Sequence, residues 1–338
     1  MKLKLLEAIK EPDVVMLVLT EKLIAPLGQV APPSYAGERK GDPPRYVEWK
    51  SDDGRLNALL DSIQSQANRI EPIFANYPDL VPDIKVVYPD KAVSLVNVPH
   101  RAADATLKYH FRDELTALHK GDMVPLGKRN GTALLFGLYD SRGTGERLDR
   151  MITAAVVARG VARVPKAATK TELLAPEDRE KLGFTKDKLS EYGIGEVPNY
   201  HESGVLDAQN AEIERRVVFD LSLLSRLNDS KLREYVKGLG LVALLHPVNM
   251  RLRSGTSLAV ANRSLGAYKH CAEMIEVELD DALDDALGFA RRAAQAFGIA
   301  KPETIEIDVK QIAKGLREWR GENEEAEKPQ KARAKGAA

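Results

Sequence analysis

The chain of 338 residues has one cysteine, Cys271, few aromatic residues at 6%, and no net charge. Each shortage removes a class of function. A single cysteine excludes an internal disulfide framework and any cysteine-rich zinc site, and it suits a reducing cytoplasm. Apolar residues never run to the ~20 needed to cross a bilayer. The apolar run at 14–19 is too short and too late for a signal sequence. A cytoplasmic protein without a membrane partner is the expectation. Fifty Lys and Arg offset fifty Asp and Glu, so bulk charge does not announce a polyanionic ligand, and any cationic groove must come from local clusters.

What is present is a globular balance, 43% hydrophobic and 30% charged. Leu56, Leu59, Leu60, Ile63, Ala67, Ile70 and Phe74 recur at three and four residues, which predicts a helix over 55–76. Strands are expected at 84–88 and 93–98. Pro99 then opens a second helix carrying Ala103, Leu107, Phe111, Leu115 and Leu118. A buried strand is expected at 132–139 and a helix at 146–159. The segment 165–211 mixes Lys, Glu, Gly and Pro without an apolar period, as an extension leaving the core would. Val217, Phe219, Leu221 and Leu223 alternate as in a strand with one buried face. A helix at 229–246, strands at 248–260 and 273–279, a helix at 280–297 and a strand at 304–309 follow. From 321 onward the chain is Lys, Glu and Ala, the composition of a disordered tail. Strands alternating with helices predict an α+β fold, such as a ferredoxin-like core with insertions. The expected division is 1–164 and 212–320 as two parts of one body, 165–211 as the extension, and 321–338 as the tail.

Signatures of nucleotide-binding loops, dinucleotide folds and helical metalloproteases are absent. His110 and His119 are too many turns apart on one helix to share a metal. Asp280, Asp281, Asp284 and Asp285 read as a solvated helix start that the dipole favours. No catalytic residue, cofactor or metal is therefore expected. Four clusters suit phosphate or ribose oxygens instead. Gln64, Asn68 and Arg69 lie off the apolar stripe of the first helix, where an ordinary polar face is the alternative. His100 and Arg101 follow Pro99 at a helix start. Arg142, Gly143, Gly145 and Arg147 form a glycine turn after Asp140, with Arg150 just beyond. Arg251 and Arg253 share one face if 249–255 is a strand, and either an anion or a salt-bridge partner would satisfy them. No strand carries the paired aromatics of an RRM stacking platform, so RNA contact should run through phosphate and 2′-OH groups.

These segments also fall into a familiar series. Asp61-Ser-Ile-Gln-Ser-Gln-Ala-Asn-Arg-Ile-Glu71, His100-Arg-Ala-Ala-Asp-Ala105 and Thr132-Ala-Leu-Leu-Phe-Gly-Leu-Tyr-Asp-Ser141 come first. Leu189-Ser-Glu-Tyr-Gly-Ile-Gly-Glu-Val-Pro198 and Arg251-Leu-Arg-Ser-Gly255 complete it. In this order they resemble the RAMP-superfamily backbone subunit of the type I-U CRISPR Cascade, also named I-G. The resemblance spans roughly residues 15 to 310. It departs at Pro26-Leu-Gly-Gln-Val-Ala-Pro-Pro33, where the family often has an aromatic and a Gln-Pro. The resemblance implies an RRM-like (ferredoxin-like) palm with large insertions and a protruding thumb at 165–211. It further implies copies of the protein lined along one CRISPR RNA, with target DNA recognised through guide pairing. Implied partners are a fused guide-processing and cap subunit, a large subunit and a recruited helicase-nuclease. The competing expectations are an endoribonuclease of the same superfamily using His100 or Asp140, and an unrelated α/β enzyme acting on carbohydrates or nucleotides.

Overall fold

The computed structural model describes residues 2–39, 42, 45–88, 91–141, 143–164, 176–185, 188, 189, 192, 204–310 and 312. In chain order, the elements used below are β1 (Val14–Ile24), β2 (Glu48–Lys50), β3 (Leu56–Asp61), α1 (Ile63–Ile70), β4 (Ile84–Tyr88), α2 (Arg112–His119), α3 (Val124–Phe136) and β5 (Ile152–Arg163). They continue with β6 (Leu206–Asp207), β7 (Glu212–Asp220), α4 (Ser230–Leu245), β8 (Arg251–Arg253), β9 (Thr256–Ser257), β10 (Ala259–Lys269), β11 (Met274–Val277), α5 (Ala282–Phe297) and β12 (Glu303–Glu306). The result is a mixed α+β fold whose main sheet is antiparallel. No described helix is long and apolar enough to cross a membrane.

β1 organises the sheet. Leu17, Leu19, Glu21 and Leu23 are buried while Val18, Thr20 and Lys22 point the other way, the two-residue period of a strand covered on one side. β7 and β10 flank it, both antiparallel. β5 pairs with β7, and β3 then β2 continue beyond β5. β11 closes the other edge against β10. The four long strands thus stand in the order β10-β1-β7-β5. β1 reaches β5 through α1, α2 and α3, and β7 reaches β10 through α4.

The helices share one face of the sheet. Leu17, Leu19, Ala154, Val217, Phe219 and Leu265 join Phe136, Tyr235, Leu239 and Phe297 in one apolar cluster. Two glycines set how closely the helices approach. A Cβ on Gly240 would run into the Phe219 ring, so α4 lies directly on the sheet. A Cβ on Gly238 would sit 2.8 Å from the Ala290 Cα, which fixes the close crossing of α4 and α5. A second apolar cluster lies further along the same face, built from Leu23, Leu60, Val156, Ile213 and the hairpin residues Met250, Leu252 and Leu258.

Several sequence expectations hold. β4 and β11 occupy their expected places. α4 starts at the Asp229 cap, whose carboxylate accepts from Leu232 N, and α5 ends at Gly298 with φ +76°. Others are corrected. The expected helix at 55–76 divides into β3 and α1, because Ser62 caps a fresh helix and accepts from Ser65 N. A 3-10 turn over Glu71–Asn76 follows. The run at 93–98 leaves its strand at Ser94 and tightens into a 3-10 turn, Leu95–Asn97. Pro99 opens no α-helix: Arg101–Ala103 is a 3-10 turn, and helix resumes only at α2. Most of the expected strand at 132–139 is the end of α3, which Gly137 stops with φ +82°, and only Leu138–Tyr139 beyond it is a strand. In place of the expected helix at 146–159 stand a short strand, Arg147–Leu148, and the start of β5, where Ile152, Ala154, Val156 and Ala158 are buried alternately. The run at 248–260 is a hairpin, β8 and β9, followed by the start of β10. At the end of the expected extension, Leu206 is buried and β6 pairs with β5 and with Gln29–Val30, so this part belongs to the sheet. Most of 165–203, and the tail from 321, lie outside the described residues.

Gly240→Ala should lower the unfolding free energy by about 1–3 kcal/mol through overpacking against Phe219. Gly288→Ala, on the same layer but with only Arg292 Nη1 3.5 Å away, should be neutral or stabilising by about 0.5–1 kcal/mol. Urea unfolding of the two variants measures both.

Candidate nucleic-acid interface

Charged side chains interrupt the apolar face where the two clusters meet. Arg215 on β7 has no exposed surface. Its Nη1 donates to Glu21 Oε2 at 2.6 Å and its Nε to Gln66 Oε1 at 2.7 Å. Gln66 Nε2 donates to Asp61 Oδ2 at 2.6 Å, and Arg69 Nε donates to the same oxygen at 2.9 Å. Arg263 on β10 lies 3.0 Å from Glu21 Oε1 and donates to Leu245 O at 2.7 Å. Burial pushes the Arg215 guanidinium below its ordinary pKa, and Glu21 opposes the shift. The amide of Gln66 therefore carries one continuous chain of polar contacts from β1 to the end of β3.

This chain holds the β8–β9 hairpin. Arg69 donates from Nη1 to Arg251 O at 3.1 Å and from Nη2 to Leu252 O at 2.7 Å. Arg253 donates to Ala31 O at 2.6 Å and lies 3.7 Å from Asp61 Oδ1. Thr256 Oγ1 accepts from Ala31 N at 2.6 Å. Burial is the main cause that lowers the Arg253 pKa, with Asp61 pulling it back up. Four guanidiniums (Arg69, Arg215, Arg253 and Arg263) face two carboxylates (Glu21 and Asp61), an excess of two positive charges. The Arg251 side chain adds a further exposed cation at the tip of this arrangement.

The structure thus joins two of the four sequence clusters, with Arg69 meeting Arg251 and Arg253 from 182 and 184 residues away. It also changes their roles. Arg69 and Arg253 hold backbone carbonyls, and Arg251 is the one whose guanidinium faces solvent. Gln64 and Asn68 are exposed on α1, with Gln64 Nε2 3.4 Å from Asn68 Oδ1 and Arg150 donating to Gln64 Oε1.

The other two clusters close on themselves. Arg101 is 4% exposed, with φ +54°. Its Nε and Nη2 donate to the Glu71 carboxylate at 2.6 to 2.9 Å, and its Nη1 donates to Gly137 O at 2.9 Å. Burial raises the Glu71 pKa, and Arg101 acts in the opposite direction. The guanidinium expected on phosphate is spent inside the protein, while His100 stays exposed beside it. In the glycine turn, Asp140 is 1% exposed and takes the donors that an anion would need. Gly143 N and Gly145 N donate to Asp140 O, and Thr144 N donates to Oδ2 at 2.7 Å. Lys108 Nζ donates to Oδ1 at 3.2 Å. Arg147 is exposed in a short strand, and Arg142 lies outside the described residues.

Sequence reading missed Glu21, Gln66, Arg215 and Arg263. A signal was available for two of them. Glu21 falls in the series Leu17, Leu19, Leu23, and Arg215 falls in the series Ile213, Val217, Phe219. A charge in the buried phase of a strand implies a partner across the sheet.

Arg215→Ala should cost about 3–5 kcal/mol, because buried Glu21 keeps only the half-buried Arg263 as a partner and the Gln66 oxygen loses its donor. Glu21→Gln combined with Arg215→Met should recover most of that loss in urea unfolding. Arg69→Ala should cost about 1.5–3 kcal/mol and speed amide exchange at 250–258, the hairpin it clamps.

Residues 17–163 match the model of a family described as CRISPR-associated protein GSU0053. The matched stretch takes in most of β1 and all of β3, α1 and β5, and ends before the hairpin. No curated protein matches the chain. Among solved structures, a chain of a CRISPR RNA-guided surveillance complex, pre-nicking, is similar at 14% sequence identity and a TM-score of 0.36, over 74% of this chain and 75% of that one.

Proposed function

We propose that the protein is a non-catalytic RNA-binding subunit of a CRISPR surveillance complex, of the backbone class found in type I-U/I-G systems. The observation that carries this reading is the excess of guanidinium charge gathered behind the exposed Arg251. The CRISPR-associated family match over 17–163 supplies the context. The strand order β10-β1-β7-β5, made from two interleaved strand-helix-strand units, supports an RRM-like palm. Clamped carbonyls and fixed guanidiniums favour phosphate contact over base readout, which leaves sequence recognition to the guide and its pairing with target DNA. Further copies of the chain and the other Cascade subunits are the partners that this role requires. The thumb of this reading is 165–203, whose helix Pro176–Glu180 is described.

The endoribonuclease alternative depends on His100 or Asp140. Lys108, Thr144 and two turn amides already engage Asp140, which argues for a structural part.

Arg251→Ala should weaken binding of single-stranded RNA about five- to tenfold and reduce the salt slope by about 0.7 per lost phosphate contact. The fold should remain intact, since the side chain is exposed. Filter binding across a salt series measures the effect. Cleavage of the RNA that disappears in an Asp140→Asn variant would overturn the non-catalytic reading.

A further inference from the structure

The opposite face of the main sheet plays no part in the hairpin site. Val18, Thr20, Thr153, Ala155, Val157 and Val218 keep partial exposure there, and they belong to neither apolar cluster. Directly paired residues project to one face, so the registers define what this surface presents. Lys22 stands between Asn262 and Glu214, and Arg216 pairs with Thr20 and Ala155. Arg159 pairs with Asn57, which in turn pairs with Trp49.

Charge on this face is unbalanced. Arg159 lies 3.5 Å from Glu214, and Arg216 also pairs with Glu214. Lys22 is exposed and has no ion-pair partner among the described residues. Glu212 stands directly opposite Arg159 on the same face, so three cations meet two carboxylates, an excess of one positive charge with Lys22 outside the ion pairs. At the far end Trp49 is 43% exposed, two strands from Arg159. Beneath it Asn57 is 2% exposed, with an amide oxygen that lacks a hydrogen-bond partner. Five strands separate Lys22 from Trp49 inclusively, a span of roughly 19 Å at about 4.8 Å per spacing.

We propose that this outer face is a second nucleic-acid surface that binds a single strand. Lys22, Arg216 and Arg159 take phosphates, and the Trp49 indole stacks on a base. Cations that track a backbone beside an aromatic platform are how sequence-tolerant single-strand binders work. An acidic peptide would meet the cations, but every base has a π-face to stack on the exposed indole whereas an acidic side chain has none, so the nucleic acid is the better fit. This inference does not rest on the hairpin site, which lies on the helix-covered side of the sheet.

The chain has two tryptophans, and Trp319→Phe leaves Trp49 as the single reporter. Titration of that full-length variant with a short oligouridylate should quench the emission, and should still do so when Arg251→Ala is added. Lys22→Ala with Arg216→Ala should lower affinity about tenfold and cut the salt slope by about 1.4, the loss of two single-strand contacts. If the pair disturbs folding, Lys22→Glu alone should weaken binding in the same direction. Emission that stays constant at saturation overturns the proposal, as does unchanged affinity in a folded Lys22→Glu variant. Displacement of the RNA by polyglutamate without any change in Trp49 emission would assign the face to an acidic protein and also overturn it. Quenching with normal affinity in Arg251→Ala alone would refute the hairpin site and leave the outer face standing.

Discussion

Arg215 has no contact with solvent, yet three strands and a helix depend on where it points. It draws Glu21 on β1 and Gln66 on α1 into one hydrogen-bonded chain, and Gln66 passes the constraint on to Asp61. A buried guanidinium without partners would cost several kcal/mol, so each member of the chain restricts the geometry of the next. The sheet face is thereby divided into two apolar clusters. One takes the helices, and the other takes the β8–β9 hairpin. Arg69 and Arg253 then translate the buried chain into a fixed hairpin backbone and leave Arg251 at the surface. The cationic site is therefore a consequence of the core.

This linkage explains which parts of the fold were legible in the sequence. α4 and α5 were readable because Asp229 caps one and Gly298 ends the other, with apolar residues at helical spacing between. β5 was not, since its alanines suit either period and only pairing with β7 and β3 decides between them. α3 is buried on nearly every side from Asn130 to Phe136, so it offers no period at all. β3 and α1 share an apolar spacing that fits one continuous helix, and the Ser62 cap separates them. In each of these cases tertiary pairing overrode a local pattern.

The candidate site was legible in a different way. Arg69, Arg251 and Arg253 stood out as cations in place, but not as neighbours, because nothing local encodes a contact across 182 residues. Arg101 and the glycine turn after Asp140 had the composition of phosphate sites. Glu71 and the Asp140 side chain fill those positions from within the chain itself. Such internal carboxylates mimic the anion, so composition alone cannot tell a ligand site from a self-satisfied turn. What distinguishes the hairpin is an excess of guanidinium charge gathered on two carboxylates, whereas Arg101 meets Glu71 and Lys108 meets Asp140 one to one.

The central claim is that RNA meets this protein at the hairpin held by Asp61 and Arg69, and not at the Asp140 turn. Hydrogen exchange on the full-length protein, with and without a guide-length RNA, tests it most directly. The account predicts that RNA slows exchange at 249–258 and leaves 140–147 unchanged. Protection confined to 140–147, with exchange across the hairpin unaltered, would contradict it.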